Sequence, residues 1–299
     1  MNKSVETAAF SGVEIVVLIK PFLKWAGSKT KLISKIKAFS ENREVFIEPF
    51  VGSGAVFLNM NGYNQYYLFD INPDLINIFK TLQVEGKEFI DYCELFFNDM
   101  NNKEDEYYKL RKRFNDIRKS QNRESAALFL YLNRHCFNGL CRYNLKGEFN
   151  VPFGKYKKPY FPRIEMEYFY LKSQNAEFIN ADFREAFKES EKHDSCFIYC
   201  DPPYVNGIDN KNEGFTSYSK DGFTNKDQID LAECANKTKH LCLISNHSTS
   251  FTKEIYSKAN IVEFEVKRFI AANKDNRRNA SELLAVFNSE KKFEEQSLF

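Results

Sequence analysis

Paired cysteines, histidine clusters and long apolar runs are all missing from this sequence. Its 7 Cys stand at 93, 136, 141, 196, 200, 234 and 242 without a C-x-x-C pair, and its 4 His (135, 193, 240, 247) share no ligand spacing with them. That pattern excludes a zinc site or a disulfide framework as the organising principle, so no metal is expected and the thiols read as reduced and mostly buried. No apolar run approaches the ~18 residues that span a bilayer. Val13–Ile19 is short, is broken by Glu14, and lacks a basic leader and a small-residue cleavage site, so neither a signal peptide nor a membrane partner is expected. Gly (12) and Pro (8) are scarce beside 30 Phe among 299 residues, which excludes a collagen-like or disordered chain. Charge of one sign is also missing. The chain carries 43 Lys+Arg against 41 Asp+Glu, a net charge of +2, and so gives no global hint of a nucleic-acid partner. Local distribution has to decide that question.

What is present reads as an interrupted α/β pattern. Val45–Ile47 predicts a short strand that ends at Glu48-Pro49, followed by the turn Phe50-Val51-Gly52-Ser53-Gly54 and a helix over Ala55–Asn59. Tyr66–Phe69 predicts a second strand stopped by Asp70, and Asn72-Pro73-Asp74 opens a helix with proline in its first turn. Strand, glycine turn, helix, strand and acidic residue together begin a nucleotide-binding unit. From about 75 to 135 the pattern turns helical, cleanly at Leu75, Ile78, Phe79 and Leu82 and less so around Leu128–Leu132. Turn dipeptides at Asn138-Gly139 and Lys146-Gly147 predict a hairpin or ordered loop over 138–158. Strands return at Glu177–Ile179, Cys196–Cys200, Leu241–Ile244, Ile261–Val266 and Leu283–Phe287, with a helix at Lys226–Lys239. An α/β pattern that starts, stops and resumes is how an inserted domain reads.

The glycine turn alone says little, because Gly-x-Gly after a strand often serves only close helix packing. Asp70 adds meaning, since an acidic side chain at the second strand end can accept hydrogen bonds from both hydroxyls of a ribose. A third glycine is missing, so a nucleoside without phosphates fits better than a dinucleotide. The sharpest signal is Asp201-Pro202-Pro203-Tyr204, directly after the apolar strand Cys196–Cys200. Two prolines fix a stiff extended turn that can neither continue a ladder nor enter a helix. Asp201 and the Pro202 carbonyl supply two acceptors and Tyr204 a flat face, which is what an exocyclic amino group on a planar base needs.

Taken in order, these motifs resemble the S-adenosylmethionine-dependent DNA adenine-N6 methyltransferases of the alpha class, and the Dam family (D12-type) within it. Pro21-Phe-Leu-Lys-Trp-Ala-Gly-Ser-Lys29 is similar to the family's N-terminal cofactor motif and Glu48–Asn59 to its glycine motif. Asn133–Tyr143 with Gly147–Tyr156 is similar to its DNA-contacting block, and the resemblance covers about residues 20–290. It implies a methyltransferase (Rossmann-like) mixed sheet with an inserted, mostly helical target-recognition domain and a hairpin loop. The expected division is an extension over 1–19, a catalytic part over 20–72 and 165–290, a recognition part over 73–164 and a tail over 291–299.

By the same resemblance Trp25, Lys29, Phe50, Gly52, Gly54, Asp70, Asp182, Phe183 and Asp201 would bind the cofactor, and Asp201, Pro202, Pro203 and Tyr204 would be catalytic. Lys24, Arg134, Phe137, Asn138, Leu140, Arg142, Asn144, Pro152, Lys155 and Arg277 would meet DNA. Phe137 would act as a wedge in the stack, Asn138 would take the vacated space, and Leu140, Arg142 and Pro152 would read base edges. The family commonly has Gly where Ser28 stands and Tyr where Phe137 stands; the second change removes a hydroxyl and keeps the stacking face. GATC is the implied target.

The residues agree with that picture independently. An adenine in a duplex must be flipped out to reach such a pocket. The block 134–158 carries six basic residues (Arg134, Arg142, Lys146, Lys155, Lys157, Lys158) against one acid, Glu148, interleaved with Phe137, Tyr143, Phe149, Phe153 and Tyr156. A second basic patch, Lys267, Arg268, Lys274, Arg277 and Arg278, suits phosphates. Cys200 beside the motif reads as a buried strand-end thiol, not a covalent nucleophile. Two other readings stay open at this stage: transfer to another planar amide or amine, such as a protein glutamine or an RNA base, and a degenerate homologue that binds DNA without modifying it. The expected setting is the bacterial cytoplasm, nucleoid-associated or phage-encoded, with double-stranded DNA as partner and a monomer in solution.

Overall fold

The computed structural model describes residues 18–27, 29, 32–40, 43–204, 222–266 and 280–289. Ser28, most of the extension 1–19, the tail 291–299 and the patch Lys267, Arg268, Lys274, Arg277 and Arg278 lie outside the described residues. The chain runs through α1 (Ile33–Phe39), β1 (Val45–Glu48), β2 (Gln65–Asp70), α2 (Pro73–Glu85), α3 (Lys87–Glu94), α4 (Glu104–Ile117), α5 (Arg123–His135) and α6 (Arg163–Lys172). It then continues through β3 (Ala176–Asn180), α7 (Phe183–Ser190), β4 (Cys196–Cys200), α8 (Asn225–Lys237), β5 (Leu241–His247), α9 (Ser250–Ile255), β6 (Asn260–Val266) and β7 (Ala280–Phe287).

The seven strands form one sheet in the order β3-β2-β1-β4-β5-β7-β6. β7 alone is reversed, antiparallel to both β5 and β6, while β1 to β5 pair in parallel. Helices cover both faces of the sheet. That is why β1, β4 and most of β5 are buried residue after residue and read as continuous apolar runs, without alternation. Alternate side chains still separate by face. Phe46, Phe197 and Tyr199 join a cluster with α2, α5 and α6, whereas Ile47, Ile198 and Cys200 join one with α7 and α8.

The inserted helices share the first of these clusters with the sheet. Phe169 of α6 stacks on Phe79 of α2 (4.7 Å between ring centroids) and on Phe178 of β3 (5.5 Å), so its truncation to alanine should cost about 3–5 kcal/mol. Asn72 caps α2, accepting from the backbone N–H groups of Asp74 (3.0 Å) and Leu75 (3.3 Å), with Pro73 in the first turn as the sequence implies. α5 has weak periodicity for a physical reason: every residue from Ser125 to His135 is buried, so no face had to be polar. One local expectation is corrected. The helix over Ala55–Asn59 is only a 3-10 turn at Phe57–Asn59, within a stretch buried on all sides, and the chain turns at Gly62 to enter β2. No described helix is long and apolar enough to cross a membrane.

Candidate active site and nucleic-acid interface

β1 and β4 lie side by side in the sheet, yet the chain leaves β1 toward β2 and β4 toward β5. Such a switch in direction opens a crevice at the carboxyl ends of the two strands. The glycine turn emerges there from β1 and Asp201–Tyr204 from β4, so motifs far apart in sequence become neighbours.

On the β1–β2 side, Gly52 and Gly54 adopt left-handed backbone (φ 47° and 75°). A Cβ added at Gly52 would lie 3.0 Å from Trp25 Nε1, so the indole rests directly against the turn. The Gly52 N–H donates to Asp70 Oδ2 (3.1 Å) and the Asn72 N–H to Oδ1 (2.9 Å). Burial pushes the Asp70 carboxyl up from its ordinary range, and the two N–H groups oppose that rise. Phe50 stacks on Phe183 (5.6 Å, 27° between planes), and Phe223, just before α8, meets both rings. Asp182 caps α7 by accepting from Arg184 N (3.0 Å), and the Arg184 guanidinium bridges it to Asp227. The cradle therefore has a half-buried carboxylate, an aromatic wall and a turn where a side chain at Gly52 would crowd Trp25.

On the β4 side Asp201, Pro203 and Tyr204 of the Asp-Pro-Pro-Tyr turn are each held. Asp201 Oδ1 takes the Lys29 ammonium (3.1 Å) and the Ser245 hydroxyl (2.9 Å). The Gln228 amide donates to the Pro203 carbonyl (2.7 Å). Asp201 Oδ2 and the Pro202 carbonyl meet no donor among the described residues, which leaves two acceptors one residue apart. The Tyr204 ring has the Lys29 ammonium over it (4.4 Å) and packs against His247 (4.6 Å), while its hydroxyl reaches Glu282 (3.4 Å). Burial raises the Asp201 pKa, opposed by Lys29 and by the Ser245 hydrogen bond. Beneath it, Glu48 is 2% exposed and, among the described residues, accepts only from Phe57 N (3.2 Å). Burial first, then the charges of Asp201 and Asp70, hold its carboxyl well above the usual range. Cys200 is fully buried, and burial pushes its thiol well up.

The basic block forms a loop of hairpin shape, closed by single antiparallel bridges at Cys136–Phe153 and Tyr143–Phe149. Phe137 stands at its open end, beside the Cys136–Phe153 bridge, 50% exposed, with its backbone N–H on the Pro152 carbonyl (2.8 Å). Asn138 is left-handed (φ 55°) and donates its backbone N–H to the Tyr156 hydroxyl (3.1 Å). Leu140, Arg142, Pro152 and Lys155 are exposed, and Arg142 Nε donates to Asn150 Oδ1 (2.8 Å). Asn144 shapes the turn, its Oδ1 accepting from the N–H groups of Lys146 (2.9 Å) and Glu148 (3.0 Å). Lys24 joins this face, its ammonium over the Tyr156 ring (4.1 Å) and its backbone clasped by Asn133 through two 2.8 Å hydrogen bonds.

Arg134, expected among the DNA contacts, is 7% exposed; its guanidinium donates to the Phe22 carbonyl, so it ties the N-terminal segment to α5. The sequence reading did not find Ser245, Gln228, Phe223, His247 or Glu282, which carry no motif. Glu48, an acid closing an apolar run, was the one visible signal left unused.

A sheet of this order with β7 alone reversed, and a rigid acidic turn at its switch point, defines an α/β methyltransferase. Within that class the chain belongs to the D12 class N6 adenine-specific DNA methyltransferases, whose family description matches residues 25–270. The DNA adenine methylase of Haemophilus influenzae is 47% identical over 278 residues, covering 91% of this chain and 95% of that one. Those of Vibrio cholerae and Escherichia coli K12 are 45% and 43% identical over 272 residues, covering 90% of this chain and 96% and 95% of theirs. The enzyme is thus an adenine-specific DNA methyltransferase, with DNA as its substrate.

Proposed function

We propose that this enzyme uses S-adenosylmethionine as donor and methylates the adenine of GATC after flipping it out of duplex DNA. The observation that carries the chemistry is the pair of acceptors at Asp201 Oδ2 and the Pro202 carbonyl, beside the Tyr204 ring. An adenine amino group has two N–H donors and a lone pair delocalised into its ring, so it is a poor nucleophile. Accepting both N–H bonds favours a more tetrahedral nitrogen and concentrates the lone pair, while Tyr204 holds the base flat. Lys29 and Ser245 favour the ionised form of Asp201 and hold it in place, which is the preorganisation the step needs. S-adenosylmethionine, when bound, supplies an already activated methyl group. In this reading Asp70 takes the ribose hydroxyls, Trp25 and the Phe50–Phe183–Phe223 wall flank the adenosine, and Gly52 and Gly54 leave it room. Asp182 borders the adenine end.

Residues 73–164 form the recognition part, with Phe137 opening the stack and Arg142, Leu140 and Pro152 at base edges; Lys24, Asn138, Asn144 and Lys155 flank them. The working unit in this reading is a monomer. The test is transfer of labelled methyl from S-adenosylmethionine to unmethylated duplexes with and without GATC, followed by nucleoside analysis. Label is expected in N6-methyladenine of the GATC duplex alone. Equal labelling of both duplexes would refute the target, and no labelling of either would refute the donor.

A further inference from the structure

The hairpin that carries the exposed side chains has no β-ladder of its own, only two isolated bridges. Its second arm is nevertheless hydrogen-bonded along both edges. On one edge Glu148, Asn150 and Pro152 meet the first arm, through Asn144 N to Glu148 O (2.9 Å), Asn150 N to Arg142 O (3.1 Å) and Phe137 N to Pro152 O (2.8 Å). On the other edge Gly147, Phe149 and Val151 meet side chains of α4 and the turn that follows it. Tyr107 and Arg111 both donate to the Val151 carbonyl (2.8 and 3.0 Å). Asn115 accepts from the Phe149 N–H (2.8 Å) and donates to the Phe149 carbonyl (3.1 Å), as a neighbouring strand would. Arg118 donates to the Gly147 carbonyl and is anchored on buried Asp74 (2.6 Å), which also accepts from the Tyr143 hydroxyl (2.7 Å).

The match has a geometric basis. Four residues along a helix advance about 6 Å, and two residues along a strand advance about 6.6 Å. Side chains at 111, 115 and 118 therefore stay in step with alternate residues at 151, 149 and 147, the two elements running antiparallel, while Tyr107, one turn earlier, shares the Val151 carbonyl with Arg111.

We propose that this polar face of α4 is the third strand of the reading hairpin, and that Asn115 is a positioning residue for DNA sequence discrimination. It acts through Phe149, whose neighbour Asn150 holds the Arg142 guanidinium. A one-residue slip would turn each side chain to the opposite face, so loss of the splint should degrade which base is read before it degrades methyl transfer. The inference rests on the hairpin being the base-reading element proposed above.

The test uses the full chain, expressed in a bacterial host free of N6-methyladenine, with methylated sites mapped by long-read sequencing and cofactor affinity measured on purified protein. In Asn115→Leu, methylation at sites differing by one base from the preferred one should rise at least tenfold relative to the preferred site, with the S-adenosylmethionine Kd within twofold of wild type. Asn115→Asp, which keeps the acceptor and loses the donor, should fall between. Arg111→Met, at a carbonyl still bonded by Tyr107, carries the test if Asn115→Leu does not fold, and should relax preference at least threefold. An unchanged site preference in these variants, with Arg142→Ala relaxed, overturns the splint alone. If Arg142→Ala is also unchanged, the hairpin does not read bases and both proposals fall.

Discussion

Ser245→Ala isolates what a single hydroxyl does for Asp201. Ser245 is fully buried in β5, opposite Leu284, and its one hydrogen is best placed on Asp201 Oδ1 at 2.9 Å, with Tyr199 available to donate in turn at 3.1 Å. It touches neither of the two acceptors assigned to the base. A hydrogen bond to a charged partner contributes about 1.5–3 kcal/mol, and about 1.4 kcal/mol corresponds to one pKa unit. Lys29 remains on the same oxygen at 3.1 Å and compensates in part, so the Asp201 pKa should rise further, by less than the full worth of that hydrogen bond. The sign follows from the chemistry, because the ionised carboxylate is the acceptor and donors favour that form. Burial already lifts this group above the ordinary carboxylate range. Methyl transfer should therefore be lost as pH falls through a value higher than wild type's. The assay is a single-turnover rate on a GATC duplex, with both partners saturating, across about pH 5 to 9. The expected result is an acid limb displaced to higher pH and a plateau within about threefold of wild type. A limb that stays put while the plateau drops would refute the role assigned to Ser245.

Three further outcomes follow from the same geometry. Gly52→Ala forces a side chain into left-handed backbone and within 3.0 Å of Trp25, so S-adenosylmethionine binding should weaken at least tenfold by calorimetry; an unchanged Kd would remove the glycine turn from the site. Glu48 has a raised folded pKa, so its stabilising contribution is present below its unfolded pKa and lost as pH rises through the folded value. The Tm of Glu48→Gln should thus gain on wild type as pH is raised, and parallel Tm curves would show the carboxyl ionised throughout. Arg142→Ala should lose about 1–3 kcal/mol of discrimination at one base pair, read as the ratio of kcat/KM on matched and single-substituted duplexes; an unaltered ratio would exclude Arg142 as a reader.

The sheet was legible because its strands are buried on both faces and read as short apolar runs. Cys196–Cys200 falls on β4 with the same bounds, and the runs at Leu241–Ile244 and Leu283–Phe287 lie within β5 and β7. Asp201-Pro202-Pro203-Tyr204 was legible because two prolines leave few conformations. Ser245, Gln228, His247 and Glu282 were not, since sheet order brings them to the motif from β5, α8 and β7 and no local pattern marks them. Counting charge in a window also could not tell where each side chain points. Arg134 belongs to the basic block by sequence, yet it sits in the last turn of a helix buried all round. The role of the polar face of α4 was not legible because its partner is backbone, which has no sequence signature.

The central claim is that Asp201 accepts from the amino group being methylated. The most direct measurement compares wild type and Asp201→Ala on one fluorescent GATC duplex, following binding by anisotropy and N6-methyladenine formation on the same sample. Duplex affinity should stay within a few-fold of wild type, with no detectable N6-methyladenine in the variant. Methylation by Asp201→Ala at a rate near wild type would contradict it.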